Sequence, residues 1–140
     1  KRVLLTVGRL VESKGIDQVI KSLDIVKKEI PDLIYMVIGD GPDKDRLKDL
    51  SDSVIFVGSV PFEQLSNYYS LANSFVMTPR KNIQGDTESF GIVYLEAQEF
   101  GLPVIAGDTG GARETSDSFR FVDSEDIDQI AENIINSLKL

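Results

Sequence analysis

The sequence contains no cysteine and no histidine. The first absence excludes disulfides and thiol chemistry. The second removes the commonest general base and the commonest metal ligand. Any catalysis must therefore rest on carboxylates, Lys, Arg, Tyr, backbone dipoles or groups supplied from elsewhere. Positive charge is scarce as well: 15 Lys and Arg stand against 23 Asp and Glu, a net charge of −8. No basic stripe of the kind a duplex-binding protein carries is visible, so nucleic acid is not an expected partner. An anion site has to be built locally, against the general field. Long hydrophobic runs are missing too; none approaches the roughly 18 apolar residues of a membrane span. There is no signal-peptide pattern, and a cytoplasmic location is the expectation.

What is present is a regular alternation. The 140 residues suit one domain with a core of its own. Short apolar runs at Val3–Val7, Leu33–Ile38, Val54–Val57, Ser74–Met77 and Pro103–Ala106 read as buried strands. A sixth, Phe119–Val122, is the weakest of them. Between them lie helical periods: Ile16 to Ile30 stopped by Pro31, Lys44–Leu50, a helix with Pro61 in its first turn, and Gly91 to Phe100. A last helix follows from Ile127 to Leu138, with Ser124 as its expected cap. The pattern predicts an α/β, Rossmann-like, doubly wound parallel sheet of about six strands with helices on both faces. Ligands of such sheets bind outside the carboxyl ends of the strands, which directs attention to the loops at 8–15, 39–42, 58–61, 78–91 and 107–114.

The loop GRLVESKG follows the first strand. Gly8 lets backbone come close to a ligand, and Arg9 with Lys14 forms a candidate diphosphate clamp. The competing reading makes Lys14 a solvated helix-start residue and pairs Arg9 with Glu12. Neither GxxxxGK[ST] nor GxGxxG occurs after the first strand, which weakens P-loop and nicotinamide-dinucleotide readings. GDGP after the second strand reads as a turn.

The stretch ESFGIVYLE places Glu88 and Glu96 eight positions apart around an apolar run. If a helix starts near Phe90 or Gly91, its first-turn amides face outward and accept an anion. The layout matches a nucleoside diphosphate sugar: Glu88 on sugar hydroxyls, amides near Gly91 and Ile92 on a phosphate, Glu96 on the vicinal hydroxyls of a ribose. Alternatively, Glu88 is a helix-dipole partner and Glu96 bridges a neighbour at the helix edge.

Taken together, GRLVESKG, GDGP, FVGSVP and ESFGIVYLEAQEFGLPVIAGDTGGARE resemble the family 4 retaining glycosyltransferases, specifically their carboxyl-terminal, nucleotide-sugar-binding domain within the two-domain GT-B architecture. The likeness runs from about Val3 to Glu114. It implies that Arg9 and Lys14 bind the donor diphosphate and that Glu88 contacts the donor sugar beside the amides of Phe90, Gly91 and Ile92. It further implies that Glu96 binds ribose and that backbone around Val60 meets the base. The implied reaction moves a hexose, mannose or glucose, from a UDP- or GDP-sugar to a glycan or lipid acceptor with retained configuration. No metal and no cofactor beyond the donor itself are implied.

Two features depart from the family pattern. The segment before Glu88, RKNIQGDT, is longer and more polar; Lys81 and Gln84 there either touch donor or acceptor or are solvated, and the solvated reading is favoured. TSDSFRFVD after Glu114 is abbreviated. The chain is also too short for a second domain, so residues 1–140 are expected to be one donor-binding domain whose amino-terminal, acceptor-binding partner is missing. That partner would hold the protein at the membrane periphery, and the isolated domain is expected to bind nucleotide with little turnover. Two rivals stand beside this reading. One is a nucleotide-sugar sensor with the same site and no chemistry. The other is a receiver-like interaction module, which would want clustered acids where this chain has Gly8 and Arg9.

Overall fold

The computed structural model describes residues 1–80, 90–109, 112, 116 and 118–139, with Phe90 and Gly91 described by backbone alone. Among these residues six strands form one parallel sheet: β1 (Arg2–Val7), β2 (Leu33–Ile38), β3 (Val54–Gly58), β4 (Ser74–Met77), β5 (Val104–Gly107) and β6 (Arg120–Val122). Their order is β3-β2-β1-β4-β5-β6. β1 runs beside β2 in unbroken register from Arg2 opposite Leu33 to Val7 opposite Ile38. The helices are α1 (Ile16–Glu29), α2 (Lys44–Leu50), α3 (Leu65–Leu71), α4 (Phe90–Glu99) and α5 (Ile127–Leu138).

Strand side chains alternate between two cores, as a period of two requires. Leu4, Tyr35, Val37, Val76 and Ile105 face one core, which α1 and α5 cover with Val19, Leu23, Ile130 and Ile134. Val3, Leu5, Phe75, Met77 and Ala106 face the other, closed by Tyr69 of α3 and by Tyr94 and Ala97 of α4. The strands are mostly apolar because both faces are buried, with Thr6 of β1 and Ser74 of β4 as buried polar exceptions. The one polar side chain inside β1 is satisfied in place: the Thr6 hydroxyl donates to the Val76 carbonyl at 2.5 Å and shares a bond of 2.7 Å with the Tyr35 hydroxyl. Burial raises the pKa of Tyr35 above its ordinary value, so the phenol stays protonated.

Two expectations change. The cap of α5 is Asp126, immediately before the helix, whose carboxylate accepts from the Gln129 amide at 3.0 Å. Ser124 is buried, and its carbonyl takes the Gln18 side-chain amide at 3.1 Å. A shorter helix than expected follows Pro61: Phe62–Gln64 form a 3-10 turn before α3 begins at Leu65. The sixth strand is present, pairing with β5 from Arg120 opposite Ile105 to Val122 opposite Gly107.

The chain leaves β1 towards β2 and β3, then returns to the other side of β1 as β4. At that reversal the connections after β1 and β4 part in opposite directions and leave a crevice at the carboxyl edge. Gly15, at the end of the β1 loop, lies against the segment leaving β4. Its φ is +71°, and a Cβ there would stand 1.8 Å from the Thr78 carbonyl oxygen. Gly15→Ala combines left-handed strain with a backbone collision and should lower stability by about 2–4 kcal/mol in a urea titration. A variant as stable as the wild type would show that the two segments do not touch as described.

Candidate functional site

The β1 loop is held from both sides. On the β2 side, Gly8 donates its amide to the Ile38 carbonyl at 2.9 Å, Leu10 to Asp40 at 3.0 Å, and Asp43 back to the Leu10 carbonyl at 2.9 Å. GDGP is thus more than a turn: it carries the partners that shape the neighbouring loop. On the β4 side, the Arg80 amide donates to the Ser13 carbonyl at 2.8 Å and the Thr78 hydroxyl to the Gly15 carbonyl at 3.1 Å. Between these supports, Glu12–Lys14 forms one 3-10 turn.

Three predicted residues sit on this loop. Gly8 is half-buried at the end of β1, where an added Cβ would stand 2.6 Å from the Met77 methyl carbon. Part of what its missing side chain provides is therefore packing against β4. Arg9 is exposed, and no described residue forms an ion pair with it, Glu12 included. Lys14 is 6% exposed, which overturns the solvated alternative.

Two residues that the sequence reading did not single out organise the loop. Asp17, in the first turn of α1, is buried, and Arg80 grips both its oxygens at 3.0 and 2.9 Å. Arg46 of α2 approaches the same carboxylate at 3.4 Å while holding Asp43 with two bonds of 2.7 and 2.6 Å. Burial alone would raise the Asp17 pKa; the hydrogen bonds and charge of Arg80, joined by Arg46 and the Gln18 amide, outweigh it and hold the carboxyl below its ordinary value. The sequence signal was slight. An acid in a helix first turn usually reads as a dipole partner, and only its place between Ile16 and Val19 hints at burial.

The predicted acids divide. Glu88 lies outside the described residues, as do Lys81, Gln84 and Glu114. Glu96 is on α4, six residues beyond Phe90, or about 9 Å along the axis. It is half-buried and accepts a hydrogen bond of 3.2 Å from the Tyr69 hydroxyl, rather than forming an ion pair with any described residue. Burial first, and the Glu96 charge second, raise the Tyr69 pKa, so the phenol remains a donor. Tyr69 in turn stacks on Phe100, with ring centres 5.5 Å apart and planes at 15°. A cleft of about 260 Å³ opens here, lined by Phe62, Leu65, Ser66, Tyr69, Glu96 and Phe100.

Val60, two residues before Phe62, is half-buried against the same core face. The structure therefore brings the segment after β3 and Glu96 to one groove. Phe90, Gly91 and Ile92 supply the first turn of α4, whose amides have no acceptor within the helix; the Ile92 side chain is exposed. Among the described residues, no group of three acids gathers in a way that could hold a metal ion.

Residues 1–140 match the family described as Glycosyl transferases group 1. Over 138 residues the chain is 38% identical to the GDP-mannose-dependent monoacylated alpha-(1-6)-phosphatidylinositol monomannoside mannosyltransferase of Corynebacterium glutamicum, a match covering 94% of this chain and 36% of that protein. It is 36% identical over 138 residues to the GDP-mannose-dependent alpha-(1-6)-phosphatidylinositol monomannoside mannosyltransferase of Mycolicibacterium smegmatis, covering 91% of this chain and 36% of the relative. The chain thus spans about a third of the length of these relatives. The fold is similar to the C-terminal domain of a glycosyl transferase group 1 family protein (LpcC) from Francisella tularensis. That similarity has a TM-score of 0.82 at 24% identity, over 100% of this chain and 76% of the other.

Tyr69→Phe keeps the ring stack and removes only the hydroxyl. A hydrogen bond to a charged group contributes about 1.5–3 kcal/mol, less where water reaches it. A loss of about 1 kcal/mol in urea unfolding is expected, and no loss at all would mean that the hydroxyl does not hold Glu96.

Proposed function

The chain belongs to the glycosyl transferases group 1 family, and from that premise we propose that it is the donor-binding half of a retaining GT-B glycosyltransferase. The full-length protein moves a hexose from a nucleoside diphosphate sugar to a lipid or glycan acceptor. GDP-mannose is the favoured donor, because the relatives at 36 and 38% identity are GDP-mannose-dependent mannosyltransferases. Their phosphatidylinositol mannoside acceptors favour a lipid acceptor and a membrane-peripheral location. No helix among the described residues is long and apolar enough to cross a membrane. The acceptor is bound by a further domain, and the donor half alone binds nucleotide with little turnover.

The single observation that carries this reading is the exposed Arg9, paired with no described residue, on the braced loop that also carries the buried Lys14, at the reversal between β1 and β4. Breaking the bond between the anomeric carbon and the diphosphate oxygen leaves negative charge on the nucleotide. Fixed cations and helix amides aimed at that charge stabilise it as it develops. Arg9, Lys14 and the first-turn amides at Phe90, Gly91 and Ile92 take that part, which in other transferases belongs to a metal ion. Gly8 lets the chain pass close to the phosphates, and Glu88 accepts hydrogen bonds from the sugar. Glu96, steadied by Tyr69, accepts from the ribose hydroxyls, and backbone at Val60 meets the base.

Calorimetric titration with GDP, UDP and ADP, and with their sugars, tests the proposal directly. GDP and GDP-mannose should bind most tightly; silence from every nucleoside diphosphate at millimolar concentration would end it. Arg9→Ala should weaken diphosphate binding by roughly 10- to 150-fold with the fold intact, the equivalent of about 1.5–3 kcal/mol. Glu96→Gln should weaken GDP and leave inorganic pyrophosphate untouched. Equal losses for both ligands would remove the ribose role.

A further inference from the structure

Arg80 reaches three parts of the molecule at once. Its Nη2 meets both oxygens of Asp17, its Nη1 donates to the Glu12 carbonyl, and its Nε lies 3.2 Å from a Glu125 carboxylate oxygen. Its own amide donates to Ser13. Arg80 thus belongs to the β4 exit, yet it grips the first residue of the Glu12–Lys14 turn, the residue after it and the start of α1. A single 3-10 turn has poor hydrogen-bond geometry and little stability by itself. Where this one sits is decided by what holds it.

The charges around the crevice separate the basic residues by role. Two carboxylates, Asp17 and Glu125, already face Arg80, while no described residue pairs with Arg9. A guanidinium bound to two acids offers little net charge to an incoming anion. A guanidinium that sets Nη2 on both oxygens of a 5% exposed aspartate, Nη1 on the Glu12 carbonyl and Nε towards Glu125 is, however, a directional joint. From this geometry we infer that Arg80 and Asp17 form a positioning pair for the diphosphate site, acting through the Glu12–Lys14 turn and not by contact with the ligand. The inference rests on the proposed reading that this edge of the sheet binds a diphosphate.

The test is calorimetric titration of the full-length protein with inorganic pyrophosphate and with GDP. Arg80→Ala and Asp17→Asn should each lose about tenfold in affinity for both ligands, because a displaced turn misplaces the cations whichever ligand carries the phosphates. The double variant should bind no worse than the weaker single one, as expected for two residues acting as one joint. Arg80→Lys, which restores the charge without the planar fork, should recover only part of the loss. Ile134→Ala, a core change remote from the crevice, is the control for general destabilisation and should leave affinity unchanged while lowering the melting temperature. Should Arg80→Ala not fold, Arg80→Lys and Asp17→Asn carry the same comparison.

Unchanged pyrophosphate affinity in folded Arg80→Ala or Asp17→Asn would overturn the inference, as would an equal affinity loss in Ile134→Ala. In that event the wild type would still bind, and the donor-site reading would survive. A wild type that binds neither ligand would overturn both together.

Discussion

The arrangement depends on one close approach, that of the segment leaving β1 to the segment leaving β4. Gly15 permits it, since any side chain there would strike the Thr78 carbonyl. The Thr78 hydroxyl, the Arg80 amide and the Arg80 guanidinium then fasten it to the carbonyls of Gly15, Ser13 and Glu12. The sheet's own pairing does not involve that contact, although the β1 loop does contribute Leu10 to one core. What would be lost without the contact is the placement of the turn that carries Lys14.

An acidic protein proposed to bind an acidic ligand faces a particular constraint. At a net charge of −8 the long-range field repels a nucleoside diphosphate, so attraction has to come from short range. The structure meets this by assigning its cations unequally. Arg46 and Arg80 are matched by Asp43, Asp17 and Glu125 and serve as struts. Arg9 is kept exposed, with no acid among the described residues paired to it. Buried ion pairs are seldom strong contributors to stability but are directional when fully hydrogen-bonded, which suits a strut better than a general source of cohesion.

The groove between α3 and α4 uses the opposite chemistry. Phe62, Leu65 and Phe100 give it an apolar wall, Tyr69 donates to Glu96, and Glu63, Ser66 and Glu99 add further polar groups. Flat rings beside a fixed carboxylate suit a nucleoside, whose base is apolar on its faces and whose ribose presents paired hydroxyls. The groove is walled by the second half of α4, from Glu96 to Phe100, whereas the braced loop lies at the reversal between β1 and β4.

Much of this was legible in the amino-acid order. Mostly apolar strands and helices of period 3.6 required a parallel sheet buried on both faces, and even the short Arg120–Val122 strand followed from that pattern. Gly8, Arg9 and Lys14 stood out because ligands of such sheets meet the loops after the strands, Glu96 through its spacing from Glu88, and Val60 only through the family resemblance. Choices between alternatives were not legible, since they depend on what lies across space. Lys14 could have been solvated; its burial was set by the packing of two loops 63 residues apart, joined from Gly15 to Thr78. Ser124 could have capped α5, but the backbone placed Asp126 at the helix start. Asp17 carried only a slight local mark and the roles of Arg80 and Tyr69 none, because a side chain's role as strut or as orienting donor is defined by its partner. Composition and periodicity thus determined which layers form, for that follows from burial alone. Only the tertiary structure decided which charges cancel and which remain for a ligand, because that is a matter of distances no linear spacing encodes.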